Sequence, residues 1–262
     1  MRIIKFKKLS GGRYKTITDE EELILYEDVI IKFNLLSIKE IDLKLLEQIL
    51  KENKYYEILN ISIKYIETKM RSKYELISYL EKKEIEPSII NKVILELEKL
   101  HLLNDIDYIK AFVNDKINLS NDGPLKIKAE LLKKDIEENE IDVYLNSFDE
   151  NIWISKIEKI ISKKSKTNKN KSNLMLKKKI KNDLYLLGYP DYLLSDIIDK
   201  INVNDEKSLK VEFNKSLKKL SKKYTDDKLK YMLKLELLKK GFLSEQIDEL
   251  ILYNDFYTYK KP

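Results

Sequence analysis

Four strings of one pattern recur along this chain: LEKKEI at 80–85, LLKKDI at 131–136, LYLLGY at 184–189 and LLKKGF at 237–242, starting 51, 53 and 53 residues apart. A fixed period of this length marks a repeat architecture, in which units too small to bury a core alone stack on their neighbours. Each string is followed by apolar residues on one helical face: Ile89, Ile90 and Val93; Ile141, Tyr144 and Leu145; Leu193, Leu194, Ile197 and Ile198; Ile247, Leu250 and Ile251. Every unit therefore opens with a helix, a tight turn and a second helix. A third helix is expected in three of them, carried by Tyr108, Ala111 and Phe112, by Trp153, Ile157, Ile160 and Ile161, and by Leu209, Phe213, Leu217 and Leu220. The fifth string residue, Glu84, Asp135, Gly188 or Gly241, falls where a helix ends in a left-handed residue.

Composition supports helices. Glycine numbers 5 and proline 4 among 262 residues, far below the usual share of the two, which excludes turn-rich all-β designs. With no cysteine and one histidine, disulfide scaffolds, thiolate metal sites, zinc clusters and cysteine nucleophiles are excluded. His101 has no partner with which to build a site and reads as structural or exposed. The carboxylate runs Glu20 to Glu22 and Asp226–Asp227 fall in turns or caps. No GxGxxG or GxxxxGK[ST] string is present, so a nucleotide cofactor has no support, and a protein that is not an enzyme and needs no cofactor is expected. No apolar stretch of about 18 residues occurs, which predicts a soluble, cytoplasmic chain. The tyrosines, among them Tyr55, Tyr56, Tyr253, Tyr257 and Tyr259, read mostly as half-buried core or seam residues, with base stacking as the alternative.

The start of the chain differs. Ile3, Phe6 and Leu9, a Ser10-Gly11-Gly12 turn, then Tyr14, Ile17 and Leu23 to Leu25 predict a sheet of two or three strands. From Tyr26 the pattern turns helical through Val29, Ile30 and Phe33. Ser37 is expected to cap a second helix carrying Ile38, Ile41, Leu45, Leu46 and Ile49. The fold class is thus mostly α, an elongated tandem array of three-helix, helix-turn-helix-like repeats with a small β-containing head. The expected divisions are a head at 1–57, repeats at 58–117, 118–165 and 166–224, and a partial fourth repeat at 225–262.

The net charge of +6 is unevenly placed. Residues 113–155 carry −5, whereas 156–181 carry 11 basic and 1 acidic residue. The basic run holds Lys156, Lys159, Lys163, Lys164, Lys166, Lys169, Lys171, Lys177 and Lys178, with Lys179 and Lys181 beyond. Lysines that neutralise phosphates give nucleic-acid affinity with a strong salt dependence; the plainer reading is a solvated linker. A second stripe, Lys215, Lys218, Lys219 and Lys222, has helical spacing opposite Phe213, Leu217, Leu220 and Tyr224, and reads either as a cationic binding face or as an ordinary solvated one. Acidic Glu137, Glu138, Glu140 and Asp142 read either as a contact for a basic surface of a protein partner or, the favoured reading, as charges suited to a helix N-terminus.

Arg71-Ser72, Glu75-Leu76, Leu80, Lys83, Ile85, Ile89, Val93, Leu97, Leu103-Asn104-Asp105, Tyr108, Ala111 and Phe112 together resemble the first repeat of the RecX family of recombination regulators. That family opens with an Arg-Ser pair, a Glu-Leu pair and a Lys-Gly-Phe-like turn and closes on an Asp-x-x-Tyr-Ala-like helix. Gly123-Pro124, Ile127, Glu130-Leu131, Lys134 and Ile136 resemble the start of its second repeat. The stretch 26–33 looks like the end of the β-containing head that members of the Firmicute type carry before the repeats, together with an extra C-terminal repeat. Glu84 and Asp135 depart from the family's turn glycine, and the second repeat's closing helix lacks the Asp-x-x-Tyr match. The resemblance implies a monomeric, non-enzymatic regulator that binds the RecA filament on single-stranded DNA and mainly inhibits its ATP hydrolysis, strand exchange and stability. It makes the lysines above candidate contacts to DNA or to the filament. The alternative is an autonomous DNA-binding protein using tandem helix-turn-helix units and the basic inter-repeat segment.

Overall fold

The computed structural model describes residues 1–167 and 171–254; Lys169, Tyr257 and Tyr259 lie outside the described residues. β1 (Ile3–Lys8), β2 (Arg13–Thr18) and β3 (Glu22–Tyr26) form one antiparallel sheet in that order, with Phe6 opposite Thr16 and Tyr14 opposite Leu25. The sheet has three strands. α1 (Glu27–Lys32) follows directly, and α2 runs as one helix from Leu43 to Glu67.

Ser37 does not cap α2. The cap is Asp42, whose Oδ1 accepts from the Leu45 amide at 2.7 Å. The residues in between are claimed by the chain start: the Ile3 amide donates to the Lys39 carbonyl at 3.0 Å and the Ile41 amide to the Met1 carbonyl at 2.8 Å. This extended pairing holds Ile41 in the core ahead of the helix.

The repeats are built from α3 (Lys73–Glu81), α4 (Pro87–Lys99) and α5 (Asp105–Leu119); α6 (Pro124–Leu132), α7 (Glu138–Leu145) and α8 (Glu150–Thr167); α9 (Asn173–Leu186), α10 (Asp191–Asp199) and α11 (Glu206–Leu220); and α12 (Asp226–Lys239) with α13 (Ser244–Tyr253). All four predicted turn residues are left-handed, with φ of 58° at Glu84, 56° at Asp135, 83° at Gly188 and 80° at Gly241. The next residue's amide reaches back to the last helical turn: Ile85 to the Leu80 carbonyl, Tyr189 to that of Leu184 and Phe242 to that of Leu237. This is the Schellman geometry, which satisfies carbonyls a helix end leaves orphaned. The opening helices have two lengths, 9 residues in α3 and α6 and 14 in α9 and α12.

The chain falls into two units, Met1–Ala111 with Lys133–Ile136, and Phe112–Leu132 with the described residues from Glu137 onward. In the first unit the head core (Leu25, Val29, Ile30, Leu35, Ile41 and Ile49) and the first-repeat core (Ile58, Leu76, Leu80, Val93 and Leu97) share α2. Tyr55 and Tyr56 meet edge to face, and burial pushes the Tyr55 hydroxyl up to about 12. In the second unit Leu209, Phe213, Leu233, Leu237 and Ile247 form the core that joins α11 to α12 and α13. Each such side chain, fully removed from water, contributes roughly 1.5–3 kcal/mol. Tyr253, the last residue of α13, is 89% exposed rather than half-buried at a seam.

The motif residues have local roles. Ser72 and Glu75 form a capping box: Ser72 Oγ accepts from the Glu75 amide at 3.2 Å and the Glu75 carboxylate from the Ser72 amide at 3.1 Å, so two orphan donors of α3 are satisfied. Asp105 ties the third helix to the first by accepting from the Lys73 amide at 2.9 Å. Asp205 does the same for the Asn173 amide at 2.8 Å. The second repeat places Pro124 at this position, which has no N–H to give, and Asp149 there accepts from the Asn151 amide instead. Glu138 and Glu140 stand in the first turn of α7, as their charge suggests. His101 is exposed and left-handed, φ 56°, at the end of α4.

One contact recurs between consecutive repeats, where the opening helix of one receives the turn of the next. In the first unit Lys134, from the second turn, donates to Glu75 at 2.8 Å and lies 5.6 Å from the Tyr108 ring centre. In the second unit the Gly123 amide donates to the Leu187 carbonyl at 2.6 Å and the Leu125 amide to the Gly188 carbonyl at 3.0 Å. Ser172 Oγ donates to the Lys240 carbonyl at 2.6 Å.

Candidate nucleic-acid interface

The lysines singled out in the sequence sort into bound and unbound ones. Lys156 is structural. Its Nζ donates to the carbonyls of Lys116, Ile117 and Ser120 at 3.2, 2.7 and 3.0 Å, closing the C-terminal end of α5. A cation there answers the negative end of the helix dipole, and burial holds its pKa below the usual lysine value. Its ammonium is committed inside the fold by these three hydrogen bonds. Lys177 likewise donates to the Asp199 carbonyl at 2.9 Å, at the end of α10.

Lys159, Lys163 and Lys166 lie on α8 at i, i+4 and i+7, which is one face. All three are exposed and have no ion-pair partner among the described residues. Lys171 precedes α9 and Lys178 sits on it, both exposed. With Lys179, Met175, Asn182 and Asp183 they line a groove of about 290 Å³. Lys164 forms an ion pair with Asp183 that ties α8 to α9. The fold therefore sets Asp183 among the groove lysines Lys171, Lys178 and Lys179 and ties it to Lys164, whereas Lys159, Lys163 and Lys166 lie on the side of α8 away from its buried residues Trp153, Ile157 and Ile160. Asp183 had no motif to mark it; its only sequence signal is that it is the first acid after the basic run.

The second stripe divides. Lys215 pairs with Glu212 at 2.8 Å and Lys219 with Glu236 at 3.5 Å, whereas Lys218 and Lys222 are exposed without an ion-pair partner among the described residues. Lys222 lies in the turn after α11. Half of the expected cationic face is thus neutralised by its own fold, while its apolar back, Phe213, Leu217 and Leu220, is buried as the spacing requires.

One arrangement was invisible in the sequence. Tyr65 of α2 stacks on Tyr79 of α3 with ring centres 4.0 Å apart, Arg71 covers the Tyr65 ring at 4.4 Å and Lys83 the Tyr79 ring at 5.1 Å. Cations on both outer faces occupy the surfaces a base would stack on, so the pair braces two helices. No group of three or more His, Cys, Asp or Glu residues able to hold a metal exists among the described residues, and no described helix is long and apolar enough to cross a membrane.

Comparison with known proteins gives one consistent result. Profiles for the first and second three-helix domains of RecX match residues 59–97 and 104–145. The regulatory protein RecX of Lactococcus lactis subsp. lactis is 30% identical over 257 residues, covering 95% of each chain. That of Halalkalibacterium halodurans is 28% identical over 258 residues, 95% of this chain and 97% of the other. A crystal structure of regulatory protein RecX shares the fold at a TM-score of 0.67 and 22% identity, covering 77% of this chain and all of that one. RecX from Lactobacillus salivarius aligns over 56% of this chain and 94% of its own at a TM-score of 0.53 and 25% identity.

Proposed function

This chain belongs to the RecX family of regulatory proteins, and from that premise we propose that it binds the RecA recombinase filament on single-stranded DNA and restrains it. It acts without catalysis of its own, lowering ATP hydrolysis and strand exchange and favouring disassembly. The observation that carries this reading is that similarity to regulatory RecX proteins extends over 95% of the chain, head and later repeats included. Tandem units offer many modest points of attachment, and their effects multiply when they engage one filament together. The partition into a head (1–57), three repeats (58–117, 118–165, 166–224) and a partial fourth (225–262) is the frame for assigning them. Lys159, Lys163, Lys166, Lys171 and Lys178 are the side chains free to meet DNA phosphates, with Lys218 and Lys222 as a second, smaller group.

The test is single-stranded-DNA-dependent ATP hydrolysis by RecA with this protein at substoichiometric amounts. A fall in rate is expected; an unchanged rate across physiological salt overturns the proposal. The exposed lysine faces favour a second reading, autonomous DNA binding. It predicts DNA affinity in the same salt range with no effect on RecA.

A further inference from the structure

The Lys164–Asp183 ion pair ties α8 to α9 beside a groove lined by Lys171, Lys178 and Lys179. Asp183 is the one acid lining that groove. Its side chain and that of Lys164 are 27% and 31% exposed, open enough for an incoming anion to reach both. A carboxylate in the middle of a basic cluster does two things. It removes one lysine from the set that can neutralise phosphate, and it repels the strand those lysines attract.

We propose that Asp183 is an internal competitor for the phosphate backbone: it holds Lys164 away from nucleic acid, and strand binding proceeds in full only when a phosphate replaces the carboxylate on Lys164. Because the same ion pair ties α8, the closing helix of the second repeat, to α9, the opening helix of the third, the exchange links strand occupancy to the tie between those helices. The competitor makes the cluster selective. A lone anion gains too little to displace Asp183, whereas a polyanion held at the same time by Lys171 and Lys178 supplies phosphate at high local concentration. This inference rests on the reading that these lysines contact DNA.

The experiment measures binding of the full chain to a fluorescent single-stranded oligonucleotide as a function of salt. The variants are Asp183→Asn, Lys164→Gln and the two combined, each first checked for helical content and melting temperature. Asp183→Asn keeps a polar partner for Lys164 and removes the charge. It is expected to raise affinity about 3- to 10-fold at low salt with an unchanged log–log salt slope, since Lys164 meets a phosphate in both bound proteins. Lys164→Gln should flatten the slope by about 0.7, the value of one phosphate no longer neutralised on a single strand, in the parent and in the Asp183→Asn background alike. An Asp183→Asn protein that is folded yet binds with parental affinity overturns the proposal. So does a Lys164→Gln protein whose slope stays at the parent value. If the parent chain itself shows no salt-dependent binding, the underlying reading of the lysines fails.

Discussion

Gly123 and Gly188 meet backbone to backbone. A Cβ built on Gly188 would fall onto the Lys126 amide nitrogen, and one built on Gly123 would lie 2.6 Å from the Gly188 carbonyl oxygen. At this contact the second and third repeats meet through main chain and the Cβ of Lys126, atoms with little room to yield.

Replacing Gly188 by alanine should be severe for this reason. The substitution strains a left-handed turn and drives a methyl into backbone, together a destabilisation of roughly 3 kcal/mol or more. Gly241 supplies the control. Its φ is nearly the same, 80° against 83°, but a methyl there first meets Ser172 Oγ at 2.8 Å and Met175 Cγ at 3.0 Å, side-chain atoms able to shift. Denaturant melts should rank Gly188→Ala well below Gly241→Ala; equal destabilisation would mean that turn strain alone decides.

Lys156 closes a helix by donating to three carbonyls. Lys156→Met keeps the aliphatic stem and removes the donor, and should cost about 1–3 kcal/mol, the range for buried polar groups left unpaired. Its DNA-binding salt slope should stay at the parent value, which separates a structural lysine from an interfacial one in a single pair of measurements.

Lys163, Lys166 and Lys178 replaced by serine should flatten the slope of log affinity against log salt by about 0.7 for each phosphate no longer neutralised. The same change at Lys215 and Lys219 should alter it far less, because Glu212 and Glu236 already hold those charges. Titrations of oligonucleotide binding between low and physiological salt read both outcomes.

Stability should fall at both ends of the pH scale. Burial raises the pKa of Asp122, but Lys126 and Lys116 at 2.6 and 2.9 Å outweigh it and hold the carboxyl below its ordinary 3.8. Such a group stabilises the fold fully above the unfolded value and loses that contribution as pH drops through the folded one. Asp122→Asn should therefore flatten the acid limb of a melting-temperature profile. Burial pushes Tyr189 to about 12 from 10.0, so its contribution is complete below 10 and disappears as pH rises toward 12. Tyr189→Phe, which forfeits one hydrogen bond to the Asn121 carbonyl, should flatten the alkaline limb.

Spacing exposed the repeat because a left-handed helix end is a local event. Four strings at one interval placed Glu84, Asp135, Gly188 and Gly241 correctly even where the residue is not glycine. What depends on distant chain was not legible. Ser37 looked like a cap, and only the pairing of Met1 and Ile3 with residues 39–41 moves the helix start to Asp42. A lysine in a basic run carries no mark of whether it faces solvent, and Lys156 shows how a carbonyl cage 36 to 40 residues away decides it. The Lys215 pair with Glu212 could have been found, since the two stand three residues apart on one helix; the Lys219 pair with Glu236 needed the packing of α11 on α12.

The three joints bear on whether the units could be exchanged. One relies on a Lys134–Glu75 ion pair, one on two glycines with no room for a side chain, and one on a serine hydroxyl reaching a turn carbonyl. Opening helices of 9 and 14 residues differ in length by roughly 7 Å at 1.5 Å per residue. A shuffled chain would set Lys134 against Ser172, or push the side chains of an ordinary turn onto Gly123, and its modules would not dock. The order of the units is thus written as lock and key into each junction, so that duplication or transposition of a single module would be selected against from the start.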